Sequence, residues 1–321
     1  MSQAVLVTGA SGFVGSALVE RLSCDTRFQV HAAARKGLVL GGTVQGFRAP
    51  DLGASADWHD ALLGMGAVIH CAARVHVMNE QADDPLTEFR RVNVEGTLHL
   101  ARQAVAAGVR RFIFVSSIKV NGEQTSPGEA FRADDESRAS DPYGISKREA
   151  ENGLLALAAE TGLEVVIVRP PLIYGPGVKA NFLSMLSWLN KGVPLPFGVI
   201  DNRRSLVALD NLVDLLALCL THPAAAGQRF LVSDGEDLST TELLRRLGQA
   251  LGRPARLLPV PQGWIEGGAS LVGRKDLSQR LCGSLQVNID KTRKLLGWAP
   301  PVSVDQSLAK TAAYFLESSR S

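Results

Sequence analysis

Three polar residues in the middle of the chain have the types and spacing for proton transfer: Ser117, Tyr143 and Lys147. Tyr143 and Lys147 are four apart in Tyr143-Gly144-Ile145-Ser146-Lys147, a spacing that puts both on one face of a helix. Ser140 and Asp141 are cap candidates and Pro142 suits a first turn, so the tyrosine should sit close to the helix start. An ammonium and a helix N-terminus both favour phenolate, which is expected to bring the tyrosine from about 10 towards neutral pH. A group tuned in this way passes a proton to or from a substrate oxygen. Ser117, at the end of Val115-Ser116-Ser117, can hydrogen-bond the same oxygen as charge develops on it. Alone, the Tyr-Lys spacing is equally that of an exposed helical pair.

Its meaning comes from the N-terminus, Val5-Leu6-Val7-Thr8-Gly9-Ala10-Ser11-Gly12-Phe13-Val14-Gly15. Gly9, Gly12 and Gly15 follow a short apolar strand and open a helix. The first permits a tight turn, the second lets the backbone approach a pyrophosphate, and the third lets helix and strand pack closely. Free N–H groups of Ser11, Phe13 and Val14 at such a helix start suit phosphates. A glycine-rich surface turn is the bland alternative; the preceding strand favours the dinucleotide cradle.

The end of the second strand bears on which dinucleotide binds. An NAD site usually carries an acid there for the 2′-hydroxyl. The sequence is instead Ala32-Ala33-Ala34-Arg35-Lys36. Arg35 and Lys36 suit a 2′-phosphate, so NADP(H) is favoured and NAD(H) kept open. Two solvated loop charges are the other possibility. Asp51 and Leu52 could accept from the adenine amino group and cover the base.

The elements that must position these residues alternate. Strands are expected at about 4–8, 28–34, 67–72, 111–116 and 164–169, with helices at 13–22, 85–107 and 142–160. That rhythm predicts an α/β fold, a Rossmann-like doubly wound parallel sheet. After Pro170 prolines and glycines cluster and the rhythm breaks. The expected division is a dinucleotide-binding domain of residues 1–171, with a return segment to the main sheet at about 203–222. A smaller C-terminal substrate-binding part would comprise 172–202 and 223–321, with helices at 240–251 and 303–316.

Composition narrows the class. The chain has 321 residues, 45% hydrophobic and 21% charged, with a net charge of +2, and carries no basic stripe interleaved with aromatics. A soluble enzyme is expected, with no nucleic-acid partner. The apolar run from Leu206 to Leu220 is interrupted by Asp210 and Asp214 and is too short to span a bilayer, so no membrane insertion is expected. The four cysteines are scattered without a paired metal motif. They are expected to be reduced and mostly buried in a cytoplasmic protein with no metal.

Taken together these runs resemble the extended short-chain dehydrogenase/reductase family, in its branch of nucleotide-sugar epimerases, dehydratases and reductases (the NAD-dependent epimerase/dehydratase family). The resemblance rests on Thr8 to Gly15, Asp51-Leu52, Val68-Ile69-His70-Cys71-Ala72-Ala73, Asn93-Val94-Glu95-Gly96-Thr97, Ser116-Ser117 and Tyr143 to Lys147. It continues through Arg169-Pro170, Tyr174-Gly175-Pro176-Gly177, Arg204 with Asp210, and Leu296-Gly297-Trp298 with Pro300, and so covers the whole chain.

The resemblance implies catalytic roles for Ser117, Tyr143 and Lys147, the last also holding the nicotinamide ribose. It implies Ala72, Ala73 and Pro170 on the nicotinamide side and Asn93 beneath the site, where a purely structural hydrogen bond is the alternative. Asn181 and Arg204, and more loosely Arg280, match diphosphate contacts. Where relatives often place a threonine two residues after the serine, this chain has Lys119. That departure favours the sub-branch of surface-polysaccharide (O-antigen, lipopolysaccharide) synthesis.

The expected function is therefore oxidoreduction at C4 of a UDP-sugar, reducing a UDP-4-keto-6-deoxy-N-acetylhexosamine to UDP-N-acetylquinovosamine. The alternatives are a UDP-glucose or UDP-GlcNAc 4-epimerase with tightly bound NAD and, remotely, a cofactor-sensing regulator. A 4,6-dehydratase fits less well, since Ile118-Lys119 supplies no acid beside the serine. A homodimer through the helices near 94–107 and 143–160 is also implied.

Overall fold

The computed structural model describes residues 2–35, 44–75, 84–271 and 281–319. Lys36 and Arg280 lie outside the described residues. Six of the first strands are β1 (Gln3–Thr8), β2 (Phe28–Ala34), β3 (Gln45–Arg48), β4 (Ala67–His70), β5 (Arg111–Val115) and β6 (Glu164–Arg169). With β9 (Arg229–Leu231) they form a seven-stranded sheet in the order β3-β2-β1-β4-β5-β6-β9, every pair parallel. The order reverses beside β1, which opens a crevice at the carboxyl ends of β1 and β4.

Alternation along each strand supplies both faces. Val5, Val7, Ile69, Ile113, Val166 and Val168 face one core; Leu6, Val68, Phe112, Phe114, Val165 and Ile167 face the other. The first core is closed by α1 (Phe13–Ser23) and α7 (Leu209–Thr221). The second is closed by α2 (His59–Leu62), α4 (Gly96–Ala106) and α5 (Pro142–Thr161). Arg111 ties the layers together. Its buried guanidinium donates to the carbonyls of Cys219, Leu220 and His222 at the end of α7 and pairs with Glu164. A cation among the last carbonyls of a helix satisfies acceptors that have no partner within it.

A third core holds the smaller part together. Tyr174, Phe182, Leu186, Leu206, Leu244, Leu247 and Leu308 meet there, from β7 (Leu172–Tyr174), α6 (Ala180–Asn190), β8 (Arg204–Ala208), α8 (Thr240–Ala250) and α11 (Val304–Ser318). Gln262–Leu271 and Asp290–Leu296 are α9 and α10. The helices expected at 240–251 and 303–316 are present, capped by Ser239 and Ser303.

Two expectations need correction. The strand within 203–222 does not return to the main sheet: β8 pairs with β7 and with β10 (Asp237–Leu238) in a separate three-stranded sheet. Pro170 and Pro171 end β6, and the chain leaves the sheet there. Only α7 packs back, and β9, after it, takes the open edge of β6. The helix expected over 85–107 forms without a break, but it is not α-helical throughout. Pro85–Phe89 (α3) and α4 flank a π-helical segment, Arg90–Glu95. That local unwinding turns Asn93 inward.

Candidate active site

The glycine loop is built for close approach. Gly9 has φ +68°, and a Cβ there would lie 2.7 Å from the Ala72 backbone nitrogen. A Cβ on Gly15 would lie 2.2 Å from the Gly9 carbonyl oxygen. Gly12 caps α1 without a side chain, so the first-turn N–H groups of Phe13, Val14 and Gly15 are not taken by a side-chain cap. With Ser11 exposed on the turn, this cradle of backbone donors at a helix N-terminus fits a dinucleotide pyrophosphate.

Arg35 and Asp51 stand at the ends of β2 and β3. Both side chains are exposed and lie 3.9 Å apart. At such separation and exposure the pair contributes little to stability. Leu52 packs half-buried against the second core. Ala72 and Ala73 follow β4 on the cradle's opposite wall, and Pro170 is buried where β6 ends.

The three residues expected to move protons come together at the ends of β5 and α5. Asp141 is the N-cap of α5, accepting from the backbone N–H groups of Tyr143 and Gly144, and Pro142 occupies the first turn. Lys147 is buried. Its Nζ donates to the Val115 carbonyl at 2.9 Å and sits 4.4 Å from the Phe114 ring centroid and 5.9 Å from that of Tyr143. The Tyr143 ring packs edge-on against Phe89 at 5.9 Å. Asn93 is buried in the π segment. It pins the Arg74 backbone through both its N–H and carbonyl and donates to Ser146 Oγ, which donates in turn to the Tyr143 carbonyl. The π turn thus holds the start of the tyrosine helix.

The electrostatics depart from the expectation for Tyr143. Burial pushes the phenol above its ordinary value, and the Asp141 carboxylate adds to the rise, opposed by the Ser117 hydroxyl. Lys147 does not dominate, because its own burial lowers it to about 8 and it spends a proton on the Val115 carbonyl. In the protein alone, burial thus favours Tyr143 as a neutral phenol.

Lys119, adjacent to Ser117, has its ammonium 3.2 Å from both Glu123 and Asp141. It anchors the cap of the tyrosine helix. Asn181 lies half-buried in the first turn of α6, and Arg204 donates to the Gly283 carbonyl. These lie on the smaller part, in α6 and β8.

Sequence reasoning missed Glu151 and Arg169 as a unit. Glu151 is one turn beyond Lys147, a spacing that could have flagged it. Arg169 grips its carboxylate with two nitrogens, and Ser116 Oγ donates to the same group. His70, part of the run Val68 to Ala73, is buried between Thr8 and Thr97 and lowered to about 3 by burial and by the Lys147 charge, hence neutral. All four cysteines are free, with Cys24 exposed and Cys71 half-buried. Among the described residues no cluster suits a metal and no helix is long and apolar enough to cross a membrane.

Residues 5–233 match the model of the NAD dependent epimerase/dehydratase family. The chain belongs to that family. It is 47% identical over 318 residues to a UDP-glucose 4-epimerase of Vibrio cholerae, covering 99% of this chain and 97% of the relative. The structure of MoeE5 with UDP-glucuronic acid and NAD is 26% identical, with a TM-score of 0.76 over 98% of this chain and 99% of that one. A Thermotoga maritima UDP-glucose 4-epimerase with UDP-glucose shares the fold, with a TM-score of 0.78 at 22% identity over 98% of this chain and 99% of that one. The family match over residues 5–233 spans the seven strands of the doubly wound sheet.

Proposed function

We propose that this chain is a UDP-sugar 4-epimerase that retains NAD between turnovers, with UDP-glucose or its N-acetylated analogue as substrate. The convergence of Ser117, Tyr143 and Lys147 at the strand ends beside the glycine cradle carries this reading. The Vibrio cholerae relative, 47% identical along nearly all of both chains, supports it.

When bound, the nicotinamide supplies a hydride acceptor that becomes the donor on the return step. Tyr143 takes the C4 hydroxyl proton as the sugar is oxidised and gives it back when the 4-ketone is reduced on its other face. Ser117 donates to the same oxygen, and the Lys147 ammonium offsets the cost of phenolate. Asn181 and Arg204 hold the diphosphate with charge-assisted contacts, and Arg280 is proposed for the same task from sequence alone. Lys119 acts on the sugar only by releasing a carboxylate, so its main part here is to steady the helix cap. The same chain is proposed to work as a cytoplasmic homodimer through α4 and α5.

The second reading is 4-keto reduction with NADPH, and Arg35 favours it: its exposed guanidinium, with no acid on the strand itself, is of the type that suits a 2′-phosphate. Mass spectrometry of the purified protein, followed by UDP-glucose without added cofactor, separates the two. Co-purified NAD with formation of UDP-galactose supports epimerisation. Oxidation of added NADPH by a UDP-4-keto-6-deoxy-N-acetylhexosamine, with UDP-glucose inert, would replace it with the reductase.

A further inference from the structure

Behind the catalytic trio lies a buried polar cluster that the reaction as described does not use. Glu151, on α5, is buried, and its carboxylate receives a bidentate grip from Arg169 on β6. Arg169 is buried too, and its remaining nitrogen donates to Asn121 Oδ1 and the Ala133 carbonyl. Ser116 Oγ donates to Glu151 Oε1. Ser116 stands between the two groups that matter: Val115, whose carbonyl holds Lys147 Nζ, and Ser117, whose hydroxyl meets Tyr143. Its own N–H is bonded to Val168, and the N–H of Ile118 to Pro170, so β6 grips this stretch from the side.

Taking an ion pair out of water is costly, and an apolar pair of equal volume would serve packing as well. A charged cluster retained at this point calls for a use beyond packing. We propose that Glu151 is a positioning residue for the proton-transfer step: clamped by Arg169, it fixes through Ser116 both the Val115 carbonyl that holds Lys147 and the Ser117 hydroxyl. The inference rests on the proposed roles of Ser117, Tyr143 and Lys147.

Its charge has a second consequence. Burial lowers Lys147, and Cys71 and Glu151 oppose that. The other groups facing Lys147 are Tyr143, on its own helix, and His70 and Cys71, at the end of β4. Burial pushes Tyr143 above its ordinary value and the Cys71 thiol up to about 12, and it holds His70 near 3, so all three are neutral near pH 8. Arg169 and, at 4.0 Å, Arg229 face Glu151 from β6 and β9. Glu151 is thus the anion that keeps the ammonium charged. Removing it lowers Lys147 further, because an uncompensated positive environment disfavours a cation.

The test compares Glu151→Gln, Glu151→Asp and Ser116→Ala with wild type. The Lys147 amine is titrated by ¹⁵N NMR of labelled lysine, and UDP-glucose turnover is followed across pH. Glu151→Gln should lower the Lys147 midpoint by about half a unit or more, and shift the alkaline limb of kcat with it. It should also cut kcat about ten-fold with KM little changed. Glu151→Asp, keeping the charge, should restore the midpoint. Ser116→Ala should keep the midpoint and still lose kcat, by roughly three-fold or more at unchanged melting temperature. A wild-type midpoint in Glu151→Gln, or wild-type kcat in Ser116→Ala, overturns the inference. If Glu151→Gln does not fold, Ser116→Ala decides alone. Should wild type leave UDP-glucose untouched, the epimerase reading fails while the titration still tests the Glu151–Lys147 link.

Discussion

Gly15→Ala should weaken dinucleotide binding roughly 10- to 100-fold while leaving the rest of the fold intact. A Cβ at residue 15 would lie 2.2 Å from the Gly9 oxygen, 2.8 Å from the Gly9 carbonyl carbon and 3.0 Å from Ala10 Cα. All three are backbone atoms on the strand side of the turn and cannot rotate away. A carbon–oxygen contact settles at roughly 3.3 Å or more, so the start of α1 must move about 1 Å from β1. Overpacking of this kind costs about 1–3 kcal/mol of stability. The displaced first turn also misplaces the N–H groups that face the phosphates. A hydrogen bond to a charged group contributes about 1.5–3 kcal/mol, so losing one weakens NAD binding roughly 10- to 100-fold. Calorimetric titration of NAD into stripped protein, with a parallel thermal melt, measures both. Gly12→Ala is the graded control, since its Cβ would sit 3.1 Å from the same oxygen and demand only a few tenths of an ångström. Gly263→Ala, on α9, is the negative control: an added Cβ there meets nothing within 4 Å. Wild-type NAD affinity in Gly15→Ala, or a larger loss in Gly12→Ala, would refute the steric reasoning.

Tyr143→Phe should lower turnover of UDP-glucose by about 10²-fold or more while NAD affinity stays within a few-fold, because only the proton-transferring oxygen is lost; retained activity would remove Tyr143 from the chemistry. Lys147→Met should be inactive yet melt higher than wild type at pH 7. Its folded value near 8 lies below the unfolded value near 10.5, so holding the ammonium buried costs on the order of 3 kcal/mol below pH 8. That cost fades as pH rises towards 10.5, so the gain in melting temperature should shrink over pH 8 to 10.5; a lower melting point at pH 7 would contradict this. Arg111→Met should destabilise by about 2–3 kcal/mol in a urea titration, since it strands the last carbonyls of α7 and leaves Glu164 with Arg110 alone.

Much of the site was legible because its parts are local. The glycine turn, the Asp141 cap and the Tyr143–Lys147 face are each set within about a turn of chain, where spacing translates directly into geometry. The first parallel strands were legible too, because strands buried on both faces read as apolar runs. Short strands with mixed residues were not: β3 and β9 acquire their identity only by pairing with β2 and β6. The strand at 204–208 reads like a return to the sheet because it is apolar and precedes a helix, yet its partners are β7 and β10.

The sequence by itself determined that a dinucleotide cradle and a tyrosine–lysine pair stand on one doubly wound sheet, since both are written in short-range spacing. Only the tertiary structure decided their electrostatic state. Burial holds the Tyr143 phenol protonated and weakens the Lys147 ammonium, and Lys119 is spent on Asp141 and Glu123. The same holds for the buried Glu151–Arg169 pair, whose members are 18 residues apart and meet only because α5 crosses behind β6. Desolvation and long-range pairing depend on what surrounds a group in space, and no local pattern of residues encodes that.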